Sequence, residues 1–382
     1  MISDELKYCY KNETSEGWIN HRKYSHLSAN RLGIQIVKNA LCLPDRNLFN
    51  KDFMGGVYDQ DYRPVPEAFQ RDGIQRAEEL LESSNISSAQ ELAGTYVYLG
   101  QYRRHYGSFL IDSVSRLWFA RSNPEQYRYI YMATQTDLGI GLHSSAISFL
   151  KYFGIDESKI ILITEPTCVE ELIIPEMSYN PLKDWHIEYL DTIYQVVDNI
   201  PKQNLEVADK VYFSRSKFAS TMKSDFGEET IVRFFEANGF KIIYPEEHDL
   251  AEQIFYVNNC KIFATIGGSC AHNIIFSKTK PKMILFNRMN GYQFHQWFLN
   301  EMAGVEPVTY VDAYNEPYRM LMKTSVSGPF LYCVNRNVRH FAKDYGLILP
   351  KIKRAILFRS IVRYSYYSFR TIAKKIVVDS LK

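Results

Sequence analysis

Ile262-Phe263-Ala264-Thr265-Ile266 is a short apolar run of strand type, Gly267-Gly268 interrupts it, and Ser269-Cys270-Ala271-His272-Asn273-Ile274-Ile275-Phe276 resumes with a helical pattern. Glycines at such a turn let backbone N–H groups approach an anion, and the helix start adds the positive end of its dipole. A diphosphate would then sit on Gly268, Ser269 and Cys270, although an ordinary tight strand-to-helix turn has the same local pattern. His272 and Asn273, on the first helical turn, would face that ligand or simply cap the turn. Tyr212-Phe213-Ser214-Arg215-Ser216-Lys217 places two cations, Arg215 and Lys217, just beyond a second strand, where they would neutralise departing phosphates. A solvated loop is the commoner fate of such residues. A third block, Gln101 to Trp118, holds His105, Ser108, Asp112 and Arg116; the last three recur every four residues and would share one helix face. A His or Asp there would deprotonate a hydroxyl. On spacing alone, a surface ion pair between Asp112 and Arg116 is the plainer reading.

Two other patterns carry less. Asp59-Gln60-Asp61 has the spacing of a carboxylate pair that chelates a metal–diphosphate, but it lies in an irregular stretch before prolines and reads as a surface turn. Gly139-Ile140-Gly141-Leu142-His143 imitates a dinucleotide fingerprint without its third glycine and with residues 133–138 separating it from the preceding strand. That argues against a nicotinamide oxidoreductase and leaves His143 as a first-turn helix residue.

The elements that must position these groups alternate. Strand-type runs at Thr95 to Leu99, Arg128 to Met132 and Ile160 to Thr164 are separated by helical patterns at Phe109 to Ala120 and Leu142 to Phe153. A second series places strands at Lys210 to Phe213, Lys241 to Tyr244, Lys261 to Ile266, Lys282 to Phe286 and Pro307 to Val311. Helices fall between them at Glu228 to Ala237, Leu250 to Asn258 and Cys270 to Phe276. Such alternation implies parallel sheets with helices on both faces. The polar interval Asn199 to Asn204 divides the two series. The expected organisation is an N-terminal elaboration over 1–90 with one helix near Arg71 to Ser83, Rossmann-like domains over 91–200 and 205–330, and a tail over 345–382.

Composition narrows the classes. A chain of 382 residues with 46% hydrophobic and 23% charged residues is globular and long enough for two domains. Its six cysteines lie at no metal or disulfide spacing, and no secretory leader or membrane-spanning run is present, so a cytoplasmic protein is expected. The net charge of +2 conceals a tail, residues 345 to 382, with nine Lys/Arg against the single acid Asp379. A basic tail on a mildly acidic body points to a local anionic partner and away from nucleic-acid binding. On a helical wheel Phe358, Ile361, Val362, Phe369, Ile372, Ala373 and Ile376 form one side, and Arg359, Arg363, Arg370 and Lys374 another. This suits peripheral docking on an anionic inner membrane face, or packing of the apolar stripe onto the protein.

Four blocks, in order and spacing, resemble glycosyltransferase family 61: Gly55-Gly56-Val57-Tyr58, His105 to Asp112 with Arg116-Leu117, Phe213-Ser214-Arg215, and Leu250-Ala251-Glu252-Gln253-Ile254 followed by Gly267 to Phe276. The resemblance implies a GT-B fold, two Rossmann-like domains facing a central cleft, and inverting transfer with no obligatory metal or cofactor. It implies a nucleotide-sugar donor, expected to be UDP-linked, held by Arg215 and the Gly267 to Asn273 turn, and a glycan or lipid-linked acceptor. Asp112 is the leading general base and His105 the alternative; Ser108, Arg116 and Gln253 are further cleft candidates. Ser108 stands where the family usually has His, which motivates a second reading as a non-catalytic glycan-binding or scaffold subunit.

Overall fold

The computed structural model describes residues 7–12, 25–44, 55–69, 89–133, 141–181, 183–218, 224–290, 294–318 and 328–380. The helix expected near Arg71 to Ser83 and the Gly139-Ile140 step lie outside them. The chain is mixed α/β and divides into two compact units, Tyr24–Pro201 and Met1–Lys23 with Lys202–Lys382.

In the second of these units six strands form a wholly parallel sheet. The order is Cys9–Tyr10, Thr309–Asp312, Lys282–Asn287, Ile262–Ile266, Lys210–Phe213, Lys241–Ile243. The inner strands are continuous apolar runs because helices cover both faces. Phe234 and Phe235 of the Glu228–Ala237 helix pack with Phe286 and Phe341 over the buried strand residues Tyr212, Ala264 and Ile284. From Lys210–Phe213 the chain moves outward to Lys241–Ile243, then crosses back to Ile262–Ile266 and continues the other way. The strand order therefore reverses between Lys210–Phe213 and Ile262–Ile266, and the crevice beyond their C-terminal ends is where ligands of such sheets bind.

The unit Tyr24–Pro201 has a mixed sheet in the order Gly56–Tyr58, Ile34–Leu43, Thr167–Pro175, Gln90–Tyr102, Arg128–Ala133, Ile160–Ile163. The last four strands are parallel, and Ile34–Leu43 runs antiparallel to both its neighbours. The stretch 1–90, expected as a separate elaboration, thus contributes strands to both sheets. The reversed strand escapes a pattern search because Ile34 and Ile36 are exposed, and Asn39 interrupts it at φ 50°.

The basic tail is one helix, Arg354–Ser380. It docks through Tyr364 and Ser368, both buried, with Tyr364 against Phe226 and Leu331 and with Tyr367 stacked on Phe226 at 5.5 Å between ring centres. Of the expected stripe Ile372 joins that contact and Phe369 lies against the Tyr318 ring at 5.2 Å, while Phe358 is 71% exposed and Ile376 64%. The helix packs onto the protein mainly by a face other than the stripe, and most of the stripe remains open. Among the described residues no helix is long and apolar enough to cross a membrane.

Candidate functional site

At the reversal of strand order the two loops foreseen as phosphate ligands meet. Thr265 pairs in register with Phe213, and its hydroxyl donates to the Phe213 carbonyl at 3.0 Å, so the chain leaves both strands at one level. Gly268 has φ +147°, a region open to glycine, and a β-carbon placed there would lie 3.1 Å from Cζ of Arg215 and collide with its guanidinium. Arg215 therefore lies directly across the glycine, at the start of the Ser269–Phe276 helix, a 3-10 segment whose Ala271 amide closes the first turn on the Gly268 carbonyl at 2.9 Å. Burial draws the Arg215 pKa down, and neighbouring Cys270, Asp225, Tyr332 and Glu228 more than offset this, so the net shift is upward. The Cys270 thiol is pushed up to about 11 by burial, so the turn offers an uncharged thiol at neutral pH.

Glu228 holds that loop in place. One carboxylate oxygen, Oε1, accepts from the Arg215 amide at 2.8 Å, the Ser214 hydroxyl at 2.9 Å and the Tyr212 hydroxyl at 3.1 Å, while Oε2 has no hydrogen-bond partner among the described residues. Burial raises its pKa to about 7 despite these donors. It opens the Glu228–Ala237 helix after Gly227, whose φ of +88° and close approach to the Tyr332 carbonyl admit no side chain.

The other donor-side candidates serve the scaffold. The Gly267 amide donates to Phe286 in the sheet and is not available to a phosphate. His272 and Asn273 point inward: His272 Nδ1 meets Gln296 Oε1 at 2.8 Å, and Asn273 donates to Gln253 Oε1 at 2.9 Å. Gln253 in turn donates to the Pro245 and His248 carbonyls, so these residues brace the turn against its neighbouring helices. Lys217 is ion-paired with Glu247 at 2.8 Å and lies over the Tyr244 ring.

In the unit Tyr24–Pro201 the expected helix from Phe109 to Ala120 is broken into a turn at Tyr106–Ser108, a π segment at Phe109–Ser113 and a 3-10 segment at Leu117–Ala120. Side chains take the carbonyls a regular helix would use: Tyr189 donates to Leu110 and Tyr131 to Ser113, both at 2.7 Å. Arg116 is buried, donating to the carbonyls of Pro175 and Phe69, and Asp112 lies 3.8 Å from Arg103. The surface ion pair between Asp112 and Arg116 is therefore replaced by two separate buried arrangements. Asp112 is sealed from solvent, Ser108 is half-buried, and His105 is exposed. His143 caps the Ser144–Phe153 helix by accepting from the Ala146 amide. Asp59 Oδ1 accepts from the Asp61 and Arg63 amides, which uses that carboxylate to build a turn. Among the described residues no group of three or more His, Cys, Asp or Glu side chains is placed to hold a metal ion.

One cation escaped the sequence reading. Arg288 follows the Lys282–Asn287 strand, and the parallel register of Ile266 with Phe286 brings it level with Gly268. Its guanidinium lies 4.5 Å from the centre of the Phe330 ring, and its Nε is buried without a hydrogen-bond partner among the described residues. Beside the Ser216 end of the loop is a polar pocket of about 310 Å³, lined by Asp225, Glu228, Tyr244, Arg359 and Arg363 among others. A larger pocket of about 590 Å³ lies at the opposite, N-terminal end of the strands, where Lys210, Ile262, Lys282 and Thr309 begin, and holds none of the switch-point residues.

A parallel α/β sheet with a largely buried arginine across a glycine turn suits several classes, and the sequence match favours a glycosyltransferase among them. Residues 106–284 match the model of the family Glycosyltransferase 61. The match contains Asp112, Arg215, Gln253 and the Gly267 to Phe276 turn, and leaves Gly55 to Tyr58 and Arg288 outside. No curated protein matches the chain.

Proposed function

We propose that the chain is a GT-B-type, inverting, metal-independent glycosyltransferase that moves a sugar from a nucleotide-sugar, UDP-linked in the simplest case, to a hydroxyl of a surface polysaccharide or lipid-linked acceptor. The observation that carries this reading is Arg215 lying across Gly268 at the reversal of strand order, inside the family-matched segment. As the bond between the anomeric carbon and the diphosphate oxygen breaks, negative charge grows on the leaving group, and the Arg215 fork and the Ser269 helix start offset it. The acceptor oxygen attacks the opposite face of that carbon and gives up its proton. The exposed His105 imidazole is the base favoured here, because Asp112 is sealed from solvent beside Arg103.

A thermal-shift screen against UDP-, GDP-, CMP- and TDP-sugars tests the donor, since binding to the native state raises the midpoint by mass action. An unchanged midpoint with all four would favour the scaffold reading that Ser108 suggests. For the base, His105→Gln is expected to lose about a hundredfold or more in kcat with donor affinity intact, and Asp112→Asn far less. Wild-type turnover in His105→Gln would move the base elsewhere.

The open stripe on the tail helix, flanked by Arg359, Arg363, Arg370 and Lys374, supports peripheral docking on the cytoplasmic membrane face, where each basic residue adds about 1 kcal/mol. Co-sedimentation with anionic vesicles should weaken in high salt and vanish for a chain ending at Leu349. Full-length protein that ignores such vesicles would remove this part of the reading.

A further inference from the structure

Two largely buried arginines, Arg215 and Arg288, stand at the C-terminal edge of the parallel sheet, each within electrostatic reach of the other and of Cys270. Burying like charges together is costly unless a counter-charge joins them. The carboxylates nearby are mostly committed. Asp225 accepts from the Tyr332 hydroxyl on Oδ1 and from Ser224 on Oδ2, each at 2.5 Å, and Glu228 spends Oε1 on the Ser214-Arg215 loop. Among the described residues no carboxylate lies within ion-pair distance of Arg288, whose guanidinium is fixed by the Phe330 ring. Burial, the largest influence, pulls its pKa below the ordinary arginine value, whereas at Arg215 the surrounding groups outweigh burial. Arg288 is thus the less compensated of the pair, yet it remains a cation at neutral pH.

We propose that Arg288 is a second anion-binding residue of the donor site, closing with Arg215 and the first turn of the Ser269–Phe276 helix on the diphosphate of the nucleotide-sugar. This rests on the donor reading above and adds a residue to it. The Phe330 ring holds the guanidinium plane so that little side-chain entropy is lost on binding, and an arginine fork matches two phosphate oxygens where a lysine would supply a point charge. Arg215 approaches Gly268 from the other side, from the strand Lys210–Phe213 that flanks Ile262–Ile266 opposite Lys282–Asn287. Two phosphates then meet two forks, and the like-charge repulsion of the empty site becomes attraction when the ligand arrives.

Calorimetry with inorganic pyrophosphate and with UDP, on the full chain, tests this. Arg288→Gln is expected to weaken both about tenfold to a hundredfold, the loss expected of a hydrogen bond to a charged group, while the ligand-free melting midpoint holds or rises because a buried repulsion is relieved. Arg288→Lys should fall between Arg288→Gln and wild type in affinity. A purely structural Arg288 predicts the reverse, a lower midpoint with unchanged affinity, and that result overturns the proposal. If Arg288→Gln does not fold, Arg288→Lys decides: wild-type affinity overturns the proposal, and weakened affinity at a wild-type midpoint supports it. Should Arg215→Ala weaken UDP while both Arg288 variants bind normally, the donor reading stands and the role of Arg288 falls. A wild-type chain that binds neither probe defeats both.

Discussion

Two blocks follow the C-terminal ends of parallel strands, and they are built on opposite principles. At Gly267 to Phe276 the backbone makes the feature: a positive-φ glycine, a helix start and an arginine laid across them. At His105 to Ala120 the side chains make it, with Tyr131, Tyr189 and Arg116 holding carbonyls that leave the helix irregular. Backbone features tolerate no change of residue class at one position, whereas a side-chain brace spreads its cost over several contacts. The first block should therefore fail in binding and the second in stability.

Gly268→Val should separate them most sharply. A β-branched side chain at φ +147° strains the backbone and drives the Arg215 guanidinium off the turn, so donor binding is expected to vanish while the parallel sheet still melts cooperatively. Normal nucleotide affinity in calorimetry would reduce the glycine turn to a connection. Next, Arg116→Ala should cost about 3 kcal/mol of stability, because two buried carbonyls lose a charged donor and the contact with Tyr98 is removed. Urea unfolding measures it, and a loss within 0.5 kcal/mol of zero, the range of about ±0.5 for ordinary surface changes, would mean that Arg116 does not brace the segment. Third, Arg215→Ala should weaken nucleotide-sugar binding by about 1.5 to 3 kcal/mol. Unchanged affinity would take Arg215 out of the site.

The smallest effect concerns pH. Glu228 has a native pKa of about 7 against an ordinary 4.5, so the native state holds its proton more tightly than the unfolded chain does. Its contribution to stability is greatest below pH 4.5, falls as pH rises toward about 7, and is level above that. Glu228→Gln keeps an acceptor for Ser214 and the Arg215 amide but removes this slope. Unfolding at pH 5 and pH 8 should therefore show the variant gaining on wild type by on the order of 2 kcal/mol between the two. A constant difference across that interval would place the Glu228 pKa near its ordinary value.

The same contrast explains what could be read in the sequence. Lys210 to Phe213 and Ile262 to Ile266 are buried on both faces, so their apolar runs marked them, and Gly267-Gly268 marked the turn. Arg288 gave no local signal, since Asn287-Arg288-Met289-Asn290 looks like any polar exit from a strand; only the register with Ile266 makes it a neighbour of Gly268. The four-residue spacing of Ser108, Asp112 and Arg116 assumed a regular helix, and tertiary hydrogen bonds to Leu110 and Ser113 overrode that period. His272 and Asn273 lie in the glycine turn but face its inner side, a direction that one turn of 3-10 geometry decides and composition does not.

The edge strand Cys9–Tyr10 has a consequence for how the chain is made. It pairs with Tyr310 and Val311, and Lys11 reaches Asp312 across 301 positions of sequence. During synthesis at about 5 to 20 residues per second, this early segment waits roughly 15 to 60 seconds before its partner strand emerges. The mixed sheet draws all its strands from between Tyr24 and Pro201 and is complete as a set long before then. The parallel sheet is therefore begun first on the ribosome and finished last, and an edge strand of two residues offers little backbone for a neighbouring nascent chain to capture in the interval.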